Sequence, residues 1–129
     1  MDVVLMRSLT IDLPWPVPVL HSHNKGHWRS KVVEVRKLRD LAMFAVRQAC
    51  PVALPRWELA TIDYLFYCPD NRRRDQANLI QAMKPAVDGI VDSGLIPDDC
   101  WQVLAIGKVV CVVVPKNPFV SLQIRKRTE

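Results

Sequence analysis

Within Leu5 to Leu13 apolar and polar residues fall into alternation, with Leu9, Ile11 and Leu13 interleaved with Thr10 and Asp12. A period of two predicts a strand with one buried face. The following LPWPVPVL segment carries Pro14, Pro16 and Pro18. Each lacks an N–H, so the ladder stops and the chain runs on extended, with Trp15 as an anchor. The period then lengthens. Val32, Val35, Leu38, Leu41, Ala42, Ala45, Val46 and Ala49 recur at spacings of three and four. This predicts an amphipathic helix over 31–49, capped by Ser30 and stopped by Pro51 and Pro55. Glu58 to Tyr67 returns to period two, with Ala60, Ile62, Tyr64 and Phe66 on one face and Leu59, Thr61, Asp63, Leu65 and Tyr67 on the other. A helix-length segment with Lys84, Asp88 and Asp92 follows. A β-branched run from Val103 to Val114, with Gly107 as a bulge, reads as a strand. A Pro115–Pro118 turn leads to a last strand, Phe119 to Ile124. The order β-α-β-α-β-β predicts a small single domain over 1–129, of α+β or mixed α/β class.

Composition narrows the class. The chain has 129 residues, half of them apolar, which suffices for a core without staples. No run approaches the roughly 18–20 apolar residues of a membrane span, and the first residues do not resemble a signal peptide. A cytoplasmic protein is expected. Cys50, Cys68, Cys100 and Cys111 form no C-x-x-C pair and read as reduced thiols. A net charge of +5 favours polyanionic partners without specifying them.

Candidate chemistry is concentrated between Cys68 and Asp99. Arg72, Arg73 and Arg74 precede Asp75, Lys84 and Asp88 lie one helical turn apart, and Asp98 and Asp99 close the segment. Arginines grip phosphate bidentately, carboxylates position Mg²⁺, and a nearby lysine neutralises developing charge. Together they suit phosphodiester hydrolysis. The plainer reading is a Lys84–Asp88 surface pair with solvated loop acids. The His21–Arg29 loop offers Asn24, Lys25, His27, Trp28 and Arg29 for phosphate contact and base stacking. A metal site of His21, His23 and His27 is the weaker reading, because ligand sets usually draw on two elements and include a carboxylate or thiolate. Arg125, Lys126 and Arg127 are either solvated or in contact with phosphate.

These features resemble the RusA-type Holliday junction resolvases of phages and prophages. The Leu13–Pro16 LPWP, the P-D-x-R-R-R-D-x-x-N-L run from Pro69 to Leu79, the K-x-x-x-D of Lys84 and Asp88, Gly94 and the Asp98-Asp99 pair carry the resemblance over nearly the whole chain. It implies a mixed α/β homodimer that binds four-way DNA junctions and nicks two strands symmetrically with Mg²⁺, for which Mn²⁺ can substitute. It implies Asp75 and Asp99 as metal ligands with Asp98 secondary, Lys84 as a catalytic residue, and DNA contacts from Arg72, Arg73, Arg74, Asn78, Lys25 and Arg29. Two departures stand out. The family's D-x-D-N reads Asp75-Gln76-Ala77-Asn78 here, so the middle carboxylate is absent. The family lysine falls on Gln81 by direct count. Three residues inserted after Asn78 place Lys84 there and keep the later spacing intact. Pro85 agrees with the insertion, since an interior helix proline costs about 3 kcal/mol. The regular helix is then expected to start near Lys84 or Pro85, after a turn.

Overall fold

A computed structural model describes residues 6–20 and 28–128. Strand β1 is Ser8–Pro14, and its Leu9, Ile11 and Leu13 are buried as the alternation predicts. Its last residue, Pro14, pairs with Phe119. A proline fits there because β1 lies at the edge of the sheet, with no partner strand on its outer side among the described residues. A 3-10 turn, Pro18–Leu20, follows.

Helix α1 spans Trp28–Ala49. It begins before Ser30, so that residue lies in the first turn rather than at the cap. The buried stripe is also narrower than the pattern predicts. Leu38, Ala42 and Val46 are buried and Val35 and Ala45 are partly covered. Val32, Leu41 and Ala49 are exposed. The helix packs on β1, on the 3-10 turn and above all on a second helix, α3 (Lys84–Ser93), leaving its flanks uncovered. At the crossing, a Cβ on Gly89 would stand 2.1 Å from the Arg39 carbonyl oxygen. The backbones touch there, and Arg39 clamps the contact through Nε and Nη2 to the Asp92 carboxylate at 2.5 and 2.9 Å.

Strand β2, Ala60–Cys68, is central. It starts at Ala60 rather than Glu58; just before it, the Trp57 N–H donates to the Leu95 carbonyl (2.8 Å) and its indole is buried in the core. Helix α2 is Gln76–Ala82, and α3 leads on to β3, Leu104–Val113. Strand β4 is Phe119–Lys126. The sheet order is β1-β4-β2-β3. β3 runs parallel to β2, while β4 runs antiparallel to both β1 and β2. The Pro115–Pro118 turn therefore does not close a hairpin; it carries the chain from one side of β2 to the other. The class is mixed α+β as expected. The order is β-α-β-α-α-β-β, because the predicted second helix is two helices. No helix among the described residues is long and apolar enough to cross a membrane.

Gly107 is the bulge that the sequence predicts. The β2–β3 register moves from Ile62↔Ile106 to Tyr64↔Val109. A Cβ on Gly107 would lie 2.2 Å from Asp63 Oδ1. The bulge admits the buried Asp63 carboxylate, which accepts from the Lys108 N–H (2.8 Å) and from Arg125 Nε and Nη2 (2.8 and 3.1 Å). Arg127 donates to the carbonyls of Ala60 and Val103. Two of the three basic residues near the chain's end thus stitch the sheet together, Arg125 while still partly open to solvent. The Arg125 hydrogen bonds hold the Asp63 carboxyl below its ordinary range. Stability from this group is therefore present above the unfolded pKa of about 3.9 and is lost as pH falls through the folded value. Asp63→Ala is expected to cost about 1–3 kcal/mol at neutral pH. Thermal melts should show the gap to wild type narrowing as pH falls below 4. A constant gap would mean that packing, not the ion pair, carries the effect.

Candidate active site

The loop leaving β2 is built around Asp70. The Arg72 backbone N–H donates to Asp70 Oδ1 (3.1 Å), and its guanidinium reaches both carboxylate oxygens at 3.0 to 3.3 Å. Arg74 Nη2 donates to Asp70 Oδ1 (2.7 Å) and Nη1 to the Asp70 carbonyl (2.9 Å). These bonds, those from Arg72 first, hold the Asp70 carboxyl well below the usual carboxylate range. The Arg74 side chain is only 16% exposed. It lies 5.5 Å from the Trp15 ring centroid, and Trp15 meets Phe66 of the core edge-on at 6.2 Å. The three arginines are therefore not equivalent. Arg74 braces the loop against the core and Arg72 closes it, while Arg73 is exposed and makes no ion pair or hydrogen bond among the described residues.

Asp75 sits where α2 begins, with extended backbone (φ −81°, ψ 130°), and its side chain makes no cap bond. The exposed carboxylate opens with Arg73 and Asn78 onto a cleft of about 520 Å³.

Helix α2 stops at Met83 (φ −94°, ψ 4°), and α3 starts with Lys84, with Pro85 in the first turn. A proline there forfeits no helical hydrogen bond. The break is where the sequence predicts it, but the residues before it form a short helix rather than a turn. It lets Lys84 meet two acids from different places. Lys84 Nζ donates to Asp88 Oδ1 (2.7 Å) and to Asp99 Oδ2. The Asp99 backbone N–H donates to Asp98 Oδ1 (2.7 Å), which fixes the returning acid pair. Lys84–Asp88 is thus more than a surface pair, since a residue fifteen positions away completes it.

Charge follows geometry. Partial burial works against the Lys84 ammonium, but the bonds to Asp88 and Asp99 outweigh it and raise its pKa. The Lys84 bond in turn lowers Asp99. Tyr64 of β2 feels both charges, and burial pushes its phenol up to about 12. Lys84, Asp88, Ala77, Asn78 and Gln81 line a second cleft of about 500 Å³, which shares Asn78 with the first.

Among the expected metal ligands, Asp98 and Asp99 are adjacent, and Asp75 lies on the neighbouring cleft. No three His, Cys, Asp or Glu side chains among the described residues are grouped to hold one ion. Asp88 and Asp99 converge on Lys84, and Asp75 opens onto the cleft that shares Asn78 with the one Lys84 lines. The predicted Lys25 contact and the three histidines lie outside the described residues. Arg29 lies in the first turn of α1, 5.7 Å from the Trp28 ring. Sequence reasoning missed Asp70 as a clamp, although its spacing of two and four from Arg72 and Arg74 was a visible signal. It had no means of pairing Arg74 with Trp15, nearly sixty residues away.

No family model matches the chain. A protein from Xylella fastidiosa (strain Temecula1 / ATCC 700964), described only as an uncharacterized protein, is 33% identical over 95 residues. The match covers 72% of this chain and 61% of the relative, so the chain spans about three fifths of that relative's length.

Proposed function

We propose that the chain is a Mg²⁺-dependent, structure-selective endodeoxyribonuclease that resolves Holliday junctions as a homodimer. The observation that carries this reading is Lys84, held between Asp88 and Asp99 in a cleft that adjoins the one lined by Arg73 and Asp75. Phosphodiester hydrolysis needs cationic groups for the phosphate and acids for the attacking water or its activating ion. Carboxylate oxygens on an open cleft are the donors that Mg²⁺ or Mn²⁺ takes, and one or two carboxylates with water complete such a shell. Asp99 and Asp88, which already meet on one cation, fit that requirement. A divalent ion held there would acidify a water and offset phosphate charge. On the protein side, Lys84 neutralises negative charge developing on the phosphate, Arg73 holds a flanking phosphate, and Asp75 acts from the mouth of the adjoining cleft. Two such sites on a twofold dimer would match the symmetry of a four-way junction.

The direct test is incubation of a four-way junction with Mg²⁺, alongside a gel shift without it. Symmetrical nicks are expected. A second reading, a branched-DNA-binding protein without turnover, draws support from Ala77, which brings no carboxylate to the cleft it lines. A gel shift with no nicks in Mg²⁺ or Mn²⁺ would select it.

The arginines give a further expectation. Arg73→Ala should weaken junction binding and reduce the salt slope by about one with an unchanged melting temperature. Arg74→Ala should instead lose about 1–3 kcal/mol of stability, because its donors are tied to the loop. If the two effects were exchanged, the phosphate contact would belong to Arg74.

A further inference from the structure

A third groove runs along α1 from Trp28. It measures about 580 Å³ and is lined by Trp28, Lys31, Val35, Arg36 and the Arg39–Asp92 pair. Lys31 and Val35 also line the cleft that holds Lys84 and Asp88. Surface clefts therefore run on from Arg73 and Asp75, past Lys84, to Trp28. Three features distinguish this end. Trp28 is 70% exposed and Val32, one turn on, is 56% exposed, so the groove offers an apolar ring surface on which a base can stack. The Arg29 guanidinium lies over the indole. Lys31 and Arg36 are exposed and make no ion pair among the described residues, whereas Arg39 beside them is neutralised by Asp92. An exposed indole with cations beside it that are in no ion pair is the arrangement that takes a base and its phosphate together.

We propose that this groove binds an unpaired DNA nucleotide, with its base stacked on Trp28 and its phosphate held by Lys31 and Arg36. The inference rests on the DNA-binding reading above and deepens it. The clefts at Lys84 would act on the backbone, while Trp28 would recognise the unstacked base that a branch point exposes and a continuous duplex does not.

The test uses the full chain with Trp101, the other strongly exposed indole (81%), changed to Phe so that it does not obscure the fluorescence signal. A short oligothymidylate should quench the remaining emission. Trp28→Ala should weaken oligothymidylate binding roughly five- to a hundredfold, while Trp28→Phe, which keeps a stacking ring, should stay within a few-fold of the parent. A Lys31→Ala, Arg36→Ala double variant should lower the salt slope by about two. Blunt duplex affinity should be unchanged by Trp28→Ala, and thermal melts should confirm that the variants fold. Undiminished oligothymidylate binding by Trp28→Ala, or an equal loss on duplex, overturns the proposal. A parent that binds junctions but not the oligonucleotide sinks the groove and spares the resolvase reading. One that binds neither removes both.

Discussion

Asp99→Asn is expected to leave junction binding in place while slowing strand cleavage by about a hundredfold or more. Asp99 is the acid through which the segment after α3 reaches back to Lys84. The amide keeps the shape and one acceptor oxygen but loses the charge. It would therefore fail both to hold a divalent ion firmly and to fix the ammonium. Asp88→Asn should act in the same direction with a smaller effect, since its neighbour one turn away on α3 still has Asp99. The Lys84 hydrogen bond depresses the Asp99 carboxyl, so Asp99 stays ionised throughout the neutral range. Its own titration should appear in a cleavage profile only below the ordinary carboxylate pKa of about 3.9. Parallel nicking and gel-shift measurements on Asp99→Asn and Asp75→Asn check the assignment. Wild-type nicking by either variant would take that acid out of the chemistry.

Gly89→Ala is expected to be the most damaging single methyl group in the protein. The added Cβ would meet the backbone oxygen of Arg39 at 2.1 Å and the Ala42 Cβ at 3.0 Å. A side chain could turn away, but a helical carbonyl cannot move without carrying its helix. α1 and α3 would have to part, thinning the packing around Ala42 and Ile90 and pulling apart the Arg39–Asp92 clamp. Overpacking of a close-fitting core costs about 1–3 kcal/mol and occasionally more; backbone contact places this site at or above the upper figure. For a chain of this size that corresponds to a fall in melting temperature of roughly 10 °C. An unchanged melting temperature would show that the helices have room to spare.

The elements could be read from the sequence because their periods are local. Leu9, Ile11 and Leu13 bury at alternate positions, and Gly107 marks its bulge. Lys84 opens a helix where Pro85 permits it. What could not be read were contacts between distant parts of the chain. The spacing from Asp70 separates Arg74 from Arg73 locally, but nothing local places Arg74 against Trp15. The α1 stripe was overestimated because periodicity reports which residues are apolar, not how wide a partner surface meets them. Lys84–Asp88 was visible as a pair, but its extension to Asp99 depends on the path of the chain after Gly94. Arg125 and Arg127 looked like tail residues until the sheet order brought them to Asp63 and Ala60.

The position of β4 has a consequence for how the chain acquires its structure. It lies between β1 and β2, pairing Ser8 with Arg125 at one boundary and Ala60 with Lys126 at the other. β1 thus has no sheet to join until residues beyond 119 exist. During synthesis the helices can form early, but the first strand must wait for nearly the whole of this sequence. Its closure spans more than a hundred residues, a loop whose entropy is offset only when the last ladder zips up. Such non-local pairing places folding in the slower, millisecond-to-second range of small domains. Until then, the apolar face of β1 is a segment that a ribosome-associated chaperone would encounter exposed.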